Sequence, residues 1–440
     1  MMNKSMTGVK RGEQETSRVF LIGVASSEIP RSEAQELLDE LHRLTDTLGN
    51  EVAGEMLVLL RESTPSLLIG TGKAQEIVDA ADQAGADTII FDHVLSPVQQ
   101  RNWEKLSSKN VYDRAELIIK IFASRAFTKE ASLQVELAQL EYALPRLAHS
   151  YNDLMQQRGG RYGTKGSGEQ KLELDRREIE RRIHEIKGEL ETVRKERAVQ
   201  RKRRERSAVP RAAIVGYTNT GKSSLLNELT LASVHAEDKL FATLDPTTRR
   251  IQLVRGQTLL LTDTVGFIRN LPPGLVEAFH STLEEVSLAD VLIHVADASD
   301  KSIDKHIETT IKVLFDIGAG EIPHILVLNK IDLVDPVVVQ AFLSRYPGSI
   351  AVSAKTQEGL GELVKEIQEA LTKQMETLML RIPHADNHIV SLILREATVL
   401  DQYYDEEYTW IRCRIPRKLI RAVQKYAYKG ALPLMDSIKP

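Results

Sequence analysis

Short apolar runs recur along the chain, and most of them end in a polar residue or a glycine. Residues 19–24, 66–69 and 88–91 are such runs and predict strands, whereas the amphipathic stretches 74–84 and 97–106 predict helices. Alternation of strands with helices is typical of a sheet with parallel strands. The pattern therefore predicts a small α/β domain near the start of the chain.

The spacing of apolar residues changes after residue 130. One stripe consists of Leu133, Leu137, Leu140, Leu144 and Leu147. A second stripe consists of Leu172, Ile179, Ile183, Ile186, Leu190 and Val193. Steps of three and four residues predict helices, and the glycine-rich stretch 158–168 between them cannot be helical, so we expect an antiparallel helical hairpin. Pro145 should bend or end the first helix.

A glycine-bounded loop follows the predicted strand 212–215 and has the spacing Gly216-x4-Gly221-Lys222-Ser223. The glycines allow the backbone to turn sharply and approach a ligand closely. Successive backbone N–H groups and the start of the next helix form an anion site. Lys222 supplies positive charge for the β- and γ-phosphates, and the Ser223 hydroxyl can ligate Mg²⁺. The loop predicts a nucleotide polyphosphate site.

Three further motifs each follow an apolar run, at 258–262, 325–328 and 349–352. They are Asp263-Thr264-Val265-Gly266, Asn329-Lys330-Ile331-Asp332 and Ser353-Ala354-Lys355. Loops at strand ends are where open α/β sheets bind ligands. The Asp332 carboxylate can accept hydrogen bonds from the N1–H and N2 amino groups of guanine, a donor pair that adenine lacks, so guanine is the favoured base. The motifs in this order resemble the translation-factor-like P-loop GTPases over about residues 211–373.

Composition and charge place further bounds on the chain. Its 440 residues predict two to four domains, and the net charge of −4 gives no chain-wide attraction to nucleic acid. The single cysteine, Cys413, fits a reducing compartment and is expected to be a core strand residue. Residues 1–16 lack the apolar core of a signal peptide, and no apolar run reaches membrane-spanning length. We expect a monomeric cytoplasmic protein without membrane insertion.

The glycine-rich tip of the predicted hairpin carries Arg158, Arg161, Tyr162 and Lys165. Basic residues and an aromatic ring on a loop suit RNA phosphates and exposed bases, although a solvated hinge is the alternative. Residues 194–206 contain eight basic and two acidic residues. They predict either an electrostatic contact with RNA or, as the alternative, a solvated helix face or a basic linker into the next domain.

The leucine stripe at 133–147, the tip, residues 172–177 and residues 241–249 together resemble the HflX family of ribosome-associated GTPases. The tip departs from the family pattern, because Gly166-Ser167-Gly168 replaces its Gly-Pro-Gly. The resemblance implies GTP hydrolysis, binding to the large ribosomal subunit and its RNA, and splitting or rescue of stalled ribosomes under stress. An assembly factor for the large subunit and a non-hydrolysing signalling scaffold are the alternatives.

The expected fold class is α/β. The chain is expected to comprise a tail (1–17), an α/β domain (18–130), a helical hairpin (131–208), a P-loop GTPase domain (209–375) and an α+β domain (376–440). The predicted catalytic residues are Lys222, Thr243 and Gly266. The predicted Mg²⁺ ligands are Ser223 and Thr243, with Asp263 acting through a metal-bound water. The residues alone leave Thr243, Thr247 and Thr248 open, and the family resemblance implies Thr243.

The predicted GTP contacts comprise the glycine-bounded loop, a segment implied by the resemblance and the three motifs at strand ends. They are Gly216, Tyr217, Thr218, Asn219, Thr220, Gly221, Lys222, Ser223, Phe241, Ala242, Thr243, Leu244, Asp245, Asp263, Thr264, Val265, Gly266, Asn329, Lys330, Ile331, Asp332, Ser353, Ala354 and Lys355.

Phe267 follows Gly266 at a position where many GTPases place a water-orienting glutamine. A phenyl ring cannot orient water, so we expect slow intrinsic hydrolysis that a partner completes. The alternative is that a backbone group or another side chain places the water unaided. A second glycine-containing loop, Gly70-Thr71-Gly72-Lys73, has Ala74 where the Mg²⁺-binding hydroxyl belongs. It predicts a tight turn from a strand into a helix, with a second nucleotide site as the weaker alternative.

Overall fold

A computed structural model describes residues 16–156, 167–205, 209–230, 240–241, 246–253, 258–269, 285–373 and 375–428. The chain forms two compact units. The first contains Met1–Thr192, Glu237–Asp245 and Ile268–His280, and the second contains Val193–Ala236, Pro246–Phe267 and Ser281–Pro440. Among the described residues, none of the helices has the length and apolar character needed to cross a membrane.

The first unit is built on a parallel sheet with the strand order β2-β1-β3-β4. The strands are β1 (Arg18–Ala25), β2 (Glu51–Leu59), β3 (Thr88–Phe91) and β4 (Asn110–Asp113). The helices are α1 (Arg31–Thr47), α2 (Thr71–Gln83), α3 (Pro97–Ser107) and α4 (Arg114–Arg125). Phe91 and Trp103 are fully buried between sheet and helices, with ring centroids 4.8 Å apart. The predicted small parallel α/β domain is confirmed.

The strand predicted at residues 66–69 is wrong, and β2 takes its place in the sheet. Leu67, Leu68 and Ile69 are buried, but Thr64 and Leu68 exchange two backbone hydrogen bonds of 2.9 Å in a tight loop. Leu68 there has a φ of 68°, which no strand residue adopts. Their apolar character reflects packing into the core and not membership of a sheet.

Two long helices, α5 (Lys129–Gln156) and α6 (Ser167–Glu205), form the predicted hairpin. Their apolar contact uses both predicted stripes, and its buried members are Leu133, Leu137, Ile186 and Leu190. The Arg182 guanidinium donates two hydrogen bonds, of 2.7 and 2.9 Å, to the Glu136 carboxylate on the facing helix. The predicted antiparallel pairing is confirmed, and α5 does not end at Pro145. The prediction that the stretch 158–168 cannot be helical is wrong at its last two residues, because α6 begins at Ser167.

Contacts of α5 with the sheet domain explain why the helix tolerates Pro145. The Tyr142 hydroxyl donates a 2.9 Å hydrogen bond to Asp113 Oδ1, the side chain that caps α4. Arg146 donates from Nη2 to the Leu95 carbonyl oxygen at 2.9 Å and from Nε to Gln100 at 2.7 Å. These contacts lie on both sides of Pro145 and offset the cost of a proline inside a helix, about 3 kcal/mol.

The second unit contains a sheet with the order β10-β9-β8-β5-β7-β6, in which only β6 is antiparallel to its neighbour. The strands are β5 (Arg211–Gly216), β6 (Thr247–Gln252), β7 (Thr258–Asp263), β8 (Val291–Asp297), β9 (His324–Asn329) and β10 (Ile350–Ala351). The described helices beside it are α7 (Lys222–Thr230), α8 (Ile303–Asp316), α9 (Pro336–Arg345) and α10 (Leu360–Lys373). The carboxyl ends of the parallel strands meet at one edge, where the predicted motifs lie.

A smaller antiparallel sheet follows, with the strand order β11-β13-β12. Its strands are β11 (Met375–Pro383), β12 (Thr398–Tyr404) and β13 (Tyr408–Pro416), and its helices are α11 (Asn387–Glu396) and α12 (Arg417–Val423). Cys413 is fully buried in β13 among apolar side chains, and this burial raises the pKa of its thiol to about 11. The expected α+β region and the core position of Cys413 are confirmed.

Candidate functional site

The loop between β5 and α7 needs both of its predicted glycines. Gly216 has a φ of +150°, and a Cβ there would lie 2.2 Å from the Val295 carbonyl oxygen. Gly221 has a φ of +88°, and a Cβ there would lie 2.3 Å from the side-chain amide of Asn329. Both values are far below normal contact distances, so the loop conformation depends on glycine at the two positions.

Lys222 is the first residue of α7, and its side chain turns back over the loop. Its Nζ donates a 2.6 Å hydrogen bond to the Tyr217 carbonyl oxygen, and the residue is 7% exposed. Burial lowers the pKa of the Lys222 ammonium to about 8, with the nearby Asp263 carboxylate acting in the opposite direction. A polyphosphate beside this ammonium would stabilise its charged form.

The hydroxyl of Ser223 donates a 2.6 Å hydrogen bond to Asp263 Oδ2. Asp263 is fully buried at the end of β7. A hydroxyl and a carboxylate at this distance are the oxygen donors that Mg²⁺ prefers, so this pair fits a magnesium site. Thr243 lies outside the described residues, whereas Thr247 and Thr248 are in β6, where the Thr248 hydroxyl is 2.9 Å from that of Thr262.

Asn329 joins the loops that carry the predicted phosphate and base contacts. Its Nδ2 donates a 2.8 Å hydrogen bond to the Thr220 carbonyl oxygen, and its Oδ1 accepts a 3.1 Å bond from the Ala354 amide. The Ser353 hydroxyl donates to Asp332 Oδ1 at 2.7 Å. Side-chain bonds thus connect the three loops, and the Asp332 carboxylate is held at their edge.

The Lys330 ammonium lies 2.8 Å from Asp297 Oδ2, a partner that is not among the residues predicted from the sequence. Asp297 ends β8, whose preceding residues are almost all apolar and buried. That run of apolar residues followed by an acid was the available signal, and it matches the pattern that identified Asp263. The pair fixes the side chain of Lys330, whose backbone has a φ of 64°.

The loop after β7 lies directly on the glycine-bounded loop. The Phe267 amide donates a 3.0 Å hydrogen bond to the Gly216 carbonyl oxygen, and the Phe267 carbonyl oxygen accepts a 2.8 Å bond from the Thr218 amide. At Gly266 a Cβ would lie 2.9 Å from both Lys222 Nζ and Thr218 Cα. Gly266 therefore sits against the residues predicted to surround the phosphates, and the Phe267 side chain is buried.

Tyr217 and Thr264 use their side chains for packing and structure. The Tyr217 ring stacks on His306, with centroids 3.8 Å apart and planes 9° from parallel, a contact that no sequence pattern indicated. The Thr264 hydroxyl donates a 2.7 Å hydrogen bond to the Ile214 carbonyl oxygen. Both residues are buried, so a ligand would meet their backbone atoms.

Phe241 belongs to the first unit, where its ring packs against Phe122 with centroids 4.5 Å apart. The residue is 2% exposed, so its predicted contact with nucleotide would use the backbone. Two groups of predicted site residues lie outside the described residues. They are Ala242, Thr243, Leu244 and Asp245, and the tip residues Arg158, Arg161, Tyr162 and Lys165.

The weaker candidate loop at residues 70–73 has a different geometry. Gly70 directly precedes α2, which begins at Thr71, and the residues before it are not in a strand. The Lys73 ammonium pairs with Glu76 on the same helix. The expected helix follows the turn, whereas the strand expected before the turn is wrong, and the Lys73 ammonium pairs with a protein carboxylate.

Models of known families match three successive parts of the chain. Residues 35–123 match the "GTP-binding GTPase N-terminal" family and residues 125–204 the "GTP-binding GTPase Middle Region" family. Residues 211–330 match the "50S ribosome-binding GTPase" family.

Similar proteins extend over most of the chain. GTPase HflX of Akkermansia muciniphila is 46% identical over 426 residues, covering 93% of this chain and 97% of its own. GTPase HflX of Caldanaerobacter subterraneus is 43% identical over 394 residues, covering 90% of each chain. A crystal structure of a GTP-binding protein from Sulfolobus solfataricus in complex with GDP aligns with a TM-score of 0.43 and 26% identity, covering 81% of this chain and 99% of that one.

Proposed function

The chain belongs to the HflX family of GTPases and is a GTP-hydrolysing enzyme, and from this premise we propose that it acts on the large ribosomal subunit. In this proposal the GTP-bound protein places its helical hairpin against ribosomal RNA and splits or rescues stalled ribosomes, and hydrolysis releases it. The observation that carries the proposal is the meeting of the phosphate, base and Gly266 loops at one edge of the second unit's sheet, in a chain that also carries a long hairpin.

The nucleotide contacts follow from the donors and acceptors at this edge. Backbone N–H groups of residues 217–223 would hold the α- and β-phosphates, and the Lys222 ammonium would reach the β- and γ-phosphates. The Asp332 carboxylate, held by Ser353, would accept two hydrogen bonds from guanine. Asn329 and Lys330 would brace the base-binding loop through their bonds to Thr220 and Asp297.

Magnesium fits the site because the Ser223 hydroxyl and the Asp263 carboxylate lie 2.6 Å apart beside Lys222. Ser223 would ligate the ion directly, and Asp263 would hold it through a bound water. The family resemblance adds Thr243 as a third oxygen donor. A bound Mg²⁺ would neutralise part of the charge on the phosphate oxygens.

In this proposal Gly266 would distinguish GTP from GDP. It lies against Thr218 and Lys222, so its N–H is close to the residues that would surround a γ-phosphate. Contacts of this kind order a switch segment when the γ-phosphate is present and release it after hydrolysis. The buried Phe267 beside it offers no polar side-chain atom for the attacking water, which supports slow hydrolysis until a partner arranges that water.

The description of the family that matches residues 211–330 supports the 50S subunit as that partner. The hairpin supports RNA as its target, because the two helices carry a tip sequence with three basic residues and a tyrosine. Salt-dependent binding would follow, because basic side chains that contact phosphates displace counterions.

The test is sedimentation of the intact chain with 70S ribosomes and isolated 50S subunits. We expect the protein to pellet with 50S subunits in the presence of a non-hydrolysable GTP analogue and to be released with GDP. A chain lacking residues 155–170 should keep its nucleotide affinity and lose the binding. Equal pelleting with both nucleotides, or pelleting that survives removal of the tip, would reject the proposal.

The same gradients separate ribosome splitting from subunit assembly. Splitting converts 70S particles into 50S and 30S subunits when protein and GTP are added to purified ribosomes. Association with incomplete 50S precursors, without conversion of 70S particles, would assign the protein to assembly instead. The steady-state GTPase rate should rise when 50S subunits are added. Equal rates with and without 50S subunits would reject the proposal that the subunit completes the catalytic site.

A further inference from the structure

The antiparallel C-terminal sheet buries one of its faces and carries charged side chains on the other. On its central strand, β13, Ile411 and Cys413 are fully buried in a core that also contains residues of α11 and α12. Successive side chains of a strand point to opposite faces. Trp410, Arg412 and Arg414 therefore share the face that lies away from this core.

A short segment after α12 extends this sheet at β11. Ala427 forms an antiparallel bridge with Leu380, and the Tyr428 amide donates a 2.8 Å hydrogen bond to the Met379 carbonyl oxygen. The order along the chain is thus strand, helix, strand, strand, helix and a last extended segment, which lies beside β11. Four-stranded sheets of RNA-binding domains use aromatic side chains on one face to stack two or three unpaired bases.

The strand register brings basic and aromatic side chains together on the outer face. Trp410 lies between Arg381 on β11 and Tyr403 on β12. We call this surface the basic–aromatic face, and its members are Arg381, Tyr403, Tyr408, Trp410, Arg412 and Arg414. Trp410 and Arg414 are four residues apart on one strand, a distance of about 14 Å. The face is therefore long enough for two or three nucleotides.

Aromatic rings occupy one end of the basic–aromatic face. The Tyr403 ring stacks on Trp410 with centroids 5.9 Å apart, and the Tyr428 ring meets Trp410 edge-on with centroids 5.0 Å apart. Trp410 is 6% exposed, whereas Tyr428 is 36% exposed and Tyr403 is half-buried. Trp410 thus supports two outer rings, which offer partly exposed surfaces on which a base can stack.

Positive charge accumulates toward the other end of the basic–aromatic face. Residues 408–428 contain six basic residues and no acidic one. Arg412 pairs with Asp401 on β12 at 2.7 Å, but neither Arg381 nor Arg414 forms an ion pair with another described residue. Arginines without an acidic partner beside stacking rings complement a chain that has both phosphates and exposed bases.

We propose that the basic–aromatic face binds unpaired RNA, with bases on Tyr403 and Tyr428 and phosphates at Arg381 and Arg414. The assignment to RNA rests on the proposed function, because that function places the protein on the ribosome. Duplex RNA suits the face poorly, since its bases are stacked on one another and are not free to stack on the rings. The face would act as an RNA contact in addition to the hairpin tip.

The test measures binding of the intact chain to a short fluorescent single-stranded oligouridine by anisotropy, without ribosomes. The double variant Arg381→Gln with Arg414→Gln should bind at least about tenfold more weakly. Its slope of log affinity against log salt should be smaller by about 1.4, because two phosphate contacts are lost. A duplex RNA of the same length should compete at least about tenfold more weakly than the single strand.

The matched control is the double variant Arg345→Gln with Arg421→Gln, which removes the same charge elsewhere in the second unit. Arg345 forms an ion pair with Asp304, and Arg421 is exposed on α12, the helix that packs on the core side of the sheet. We expect its affinity for oligouridine to stay within about twofold of the wild type.

Stacking is tested separately from charge. Tyr403→Leu should weaken binding at least about fivefold without changing the salt slope, whereas Tyr403→Phe retains the ring and should bind like the wild type. All variants should keep the wild-type affinity for GDP, which shows that the second unit is folded. The exposed arginine variants keep the test decisive if Tyr403→Leu fails to fold.

Photo-cross-linking of oligouridine that contains 4-thiouridine locates the contact, and the adducts should fall within residues 375–428. The inference is overturned if the intact chain does not bind the oligouridine, which would favour a protein partner for this face. Adducts confined to the hairpin tip, or equal affinities of the Arg381/Arg414 variant and its control, would also overturn it. No ribosome is present, so failure of the sedimentation experiment would reject the proposed function and leave this result unchanged.

Discussion

Asn329 donates a 2.8 Å hydrogen bond to the carbonyl oxygen of Thr220, which lies 109 positions earlier in the chain. The bond joins the loop predicted to bind phosphates to the loop predicted to bind the base. Asn329 is 1% exposed, and its side-chain oxygen Oδ1 accepts a hydrogen bond from the Ala354 amide. One amide group therefore sets the spacing between the two ends of the nucleotide site.

Asn329→Ala should weaken GTP and GDP binding together. The substitution leaves the buried Ala354 amide and Thr220 carbonyl without this partner, at a cost of about 1–3 kcal/mol for each unsatisfied group. We expect a loss of affinity of about 10- to 100-fold, measured by titration with a fluorescent nucleotide. Asn102→Ala is the control, because Asn102 makes a similar 2.9 Å bond to the Ser66 carbonyl oxygen in an exposed position. Equal losses in both variants would contradict the role given to Asn329.

Asp332→Asn should change which base is accepted. The carboxylate would accept two hydrogen bonds from guanine, and an amide replaces one acceptor by a donor. Hydrogen bonds to charged groups contribute about 1.5–3 kcal/mol each, so GTP affinity should fall by about two orders of magnitude or more. Xanthosine triphosphate has a carbonyl where guanine has its amino group, and its affinity should rise. Competition between GTP and xanthosine triphosphate measures the change in preference. If the variant prefers GTP as strongly as the wild type does, Asp332 does not contact the base.

Ser223→Ala should remove most of the magnesium dependence of nucleotide binding. The hydroxyl lies 2.6 Å from Asp263 and is the proposed direct ligand. In the presence of Mg²⁺ we expect GTP affinity and hydrolysis to fall at least about tenfold, a loss of about 1.4 kcal/mol. With EDTA, wild type and variant should bind alike. The adjacent Ser224→Ala is the control and should retain the wild-type response to Mg²⁺, whereas a similar defect there would argue against a metal ligand at 223.

Asp92 should make the first unit less stable as the pH rises toward neutrality. Burial raises the pKa of its carboxyl to about 6, against the opposing effect of Arg114, while Glu40 and Arg269 also face it. Because the folded chain holds the proton more tightly, the stabilisation is complete below about pH 4 and is lost as the pH rises through 6. Between these limits the change is on the order of 3 kcal/mol.

Asp92→Asn replaces the titrating carboxyl by an amide, so comparison with the wild type isolates its contribution to stability. Its stability relative to the wild type should improve between pH 4.5 and pH 7, measured by urea unfolding in a Trp410→Phe background so that Trp103 reports the first unit. The exposed carboxylate of Asp46 provides the control variant Asp46→Asn. A relative stability of Asp92→Asn that does not vary with pH would show that the carboxyl is not protonated in this range.

The positions of the candidate site's loops at strand ends could be predicted from sequence because the pattern is local. Lys222 and Ser223 have fixed spacing from Gly216 and Gly221, and the strands that end at Asp263 and Asn329 consist mainly of apolar residues. The same rule would have found Asp297 after β8. The domain boundaries and the roles of the site residues stay predictions.

Other features depend on contacts between distant residues, which no local pattern contains. The apolar residues Leu67, Leu68 and Ile69 suggested a strand, yet they are buried in the core as part of a loop. The strand β2 (Glu51–Leu59) has a mixed composition that gave no clear signal. Pro145 lies within α5 because Tyr142 and Arg146 bind residues of the sheet domain. Arg114, the first residue of α4, contacts the carbonyl oxygen of Arg269, which lies 155 positions later in the chain.

The position of Cys413 has a practical consequence for attaching probes to the hairpin. Its thiol is fully buried in β13, and with its raised pKa it carries little thiolate at neutral pH, so it reacts slowly with maleimides. It is also the only cysteine in the sequence. A cysteine introduced at an exposed site on α6 would therefore accept a dye or spin label selectively, in an otherwise unmodified chain.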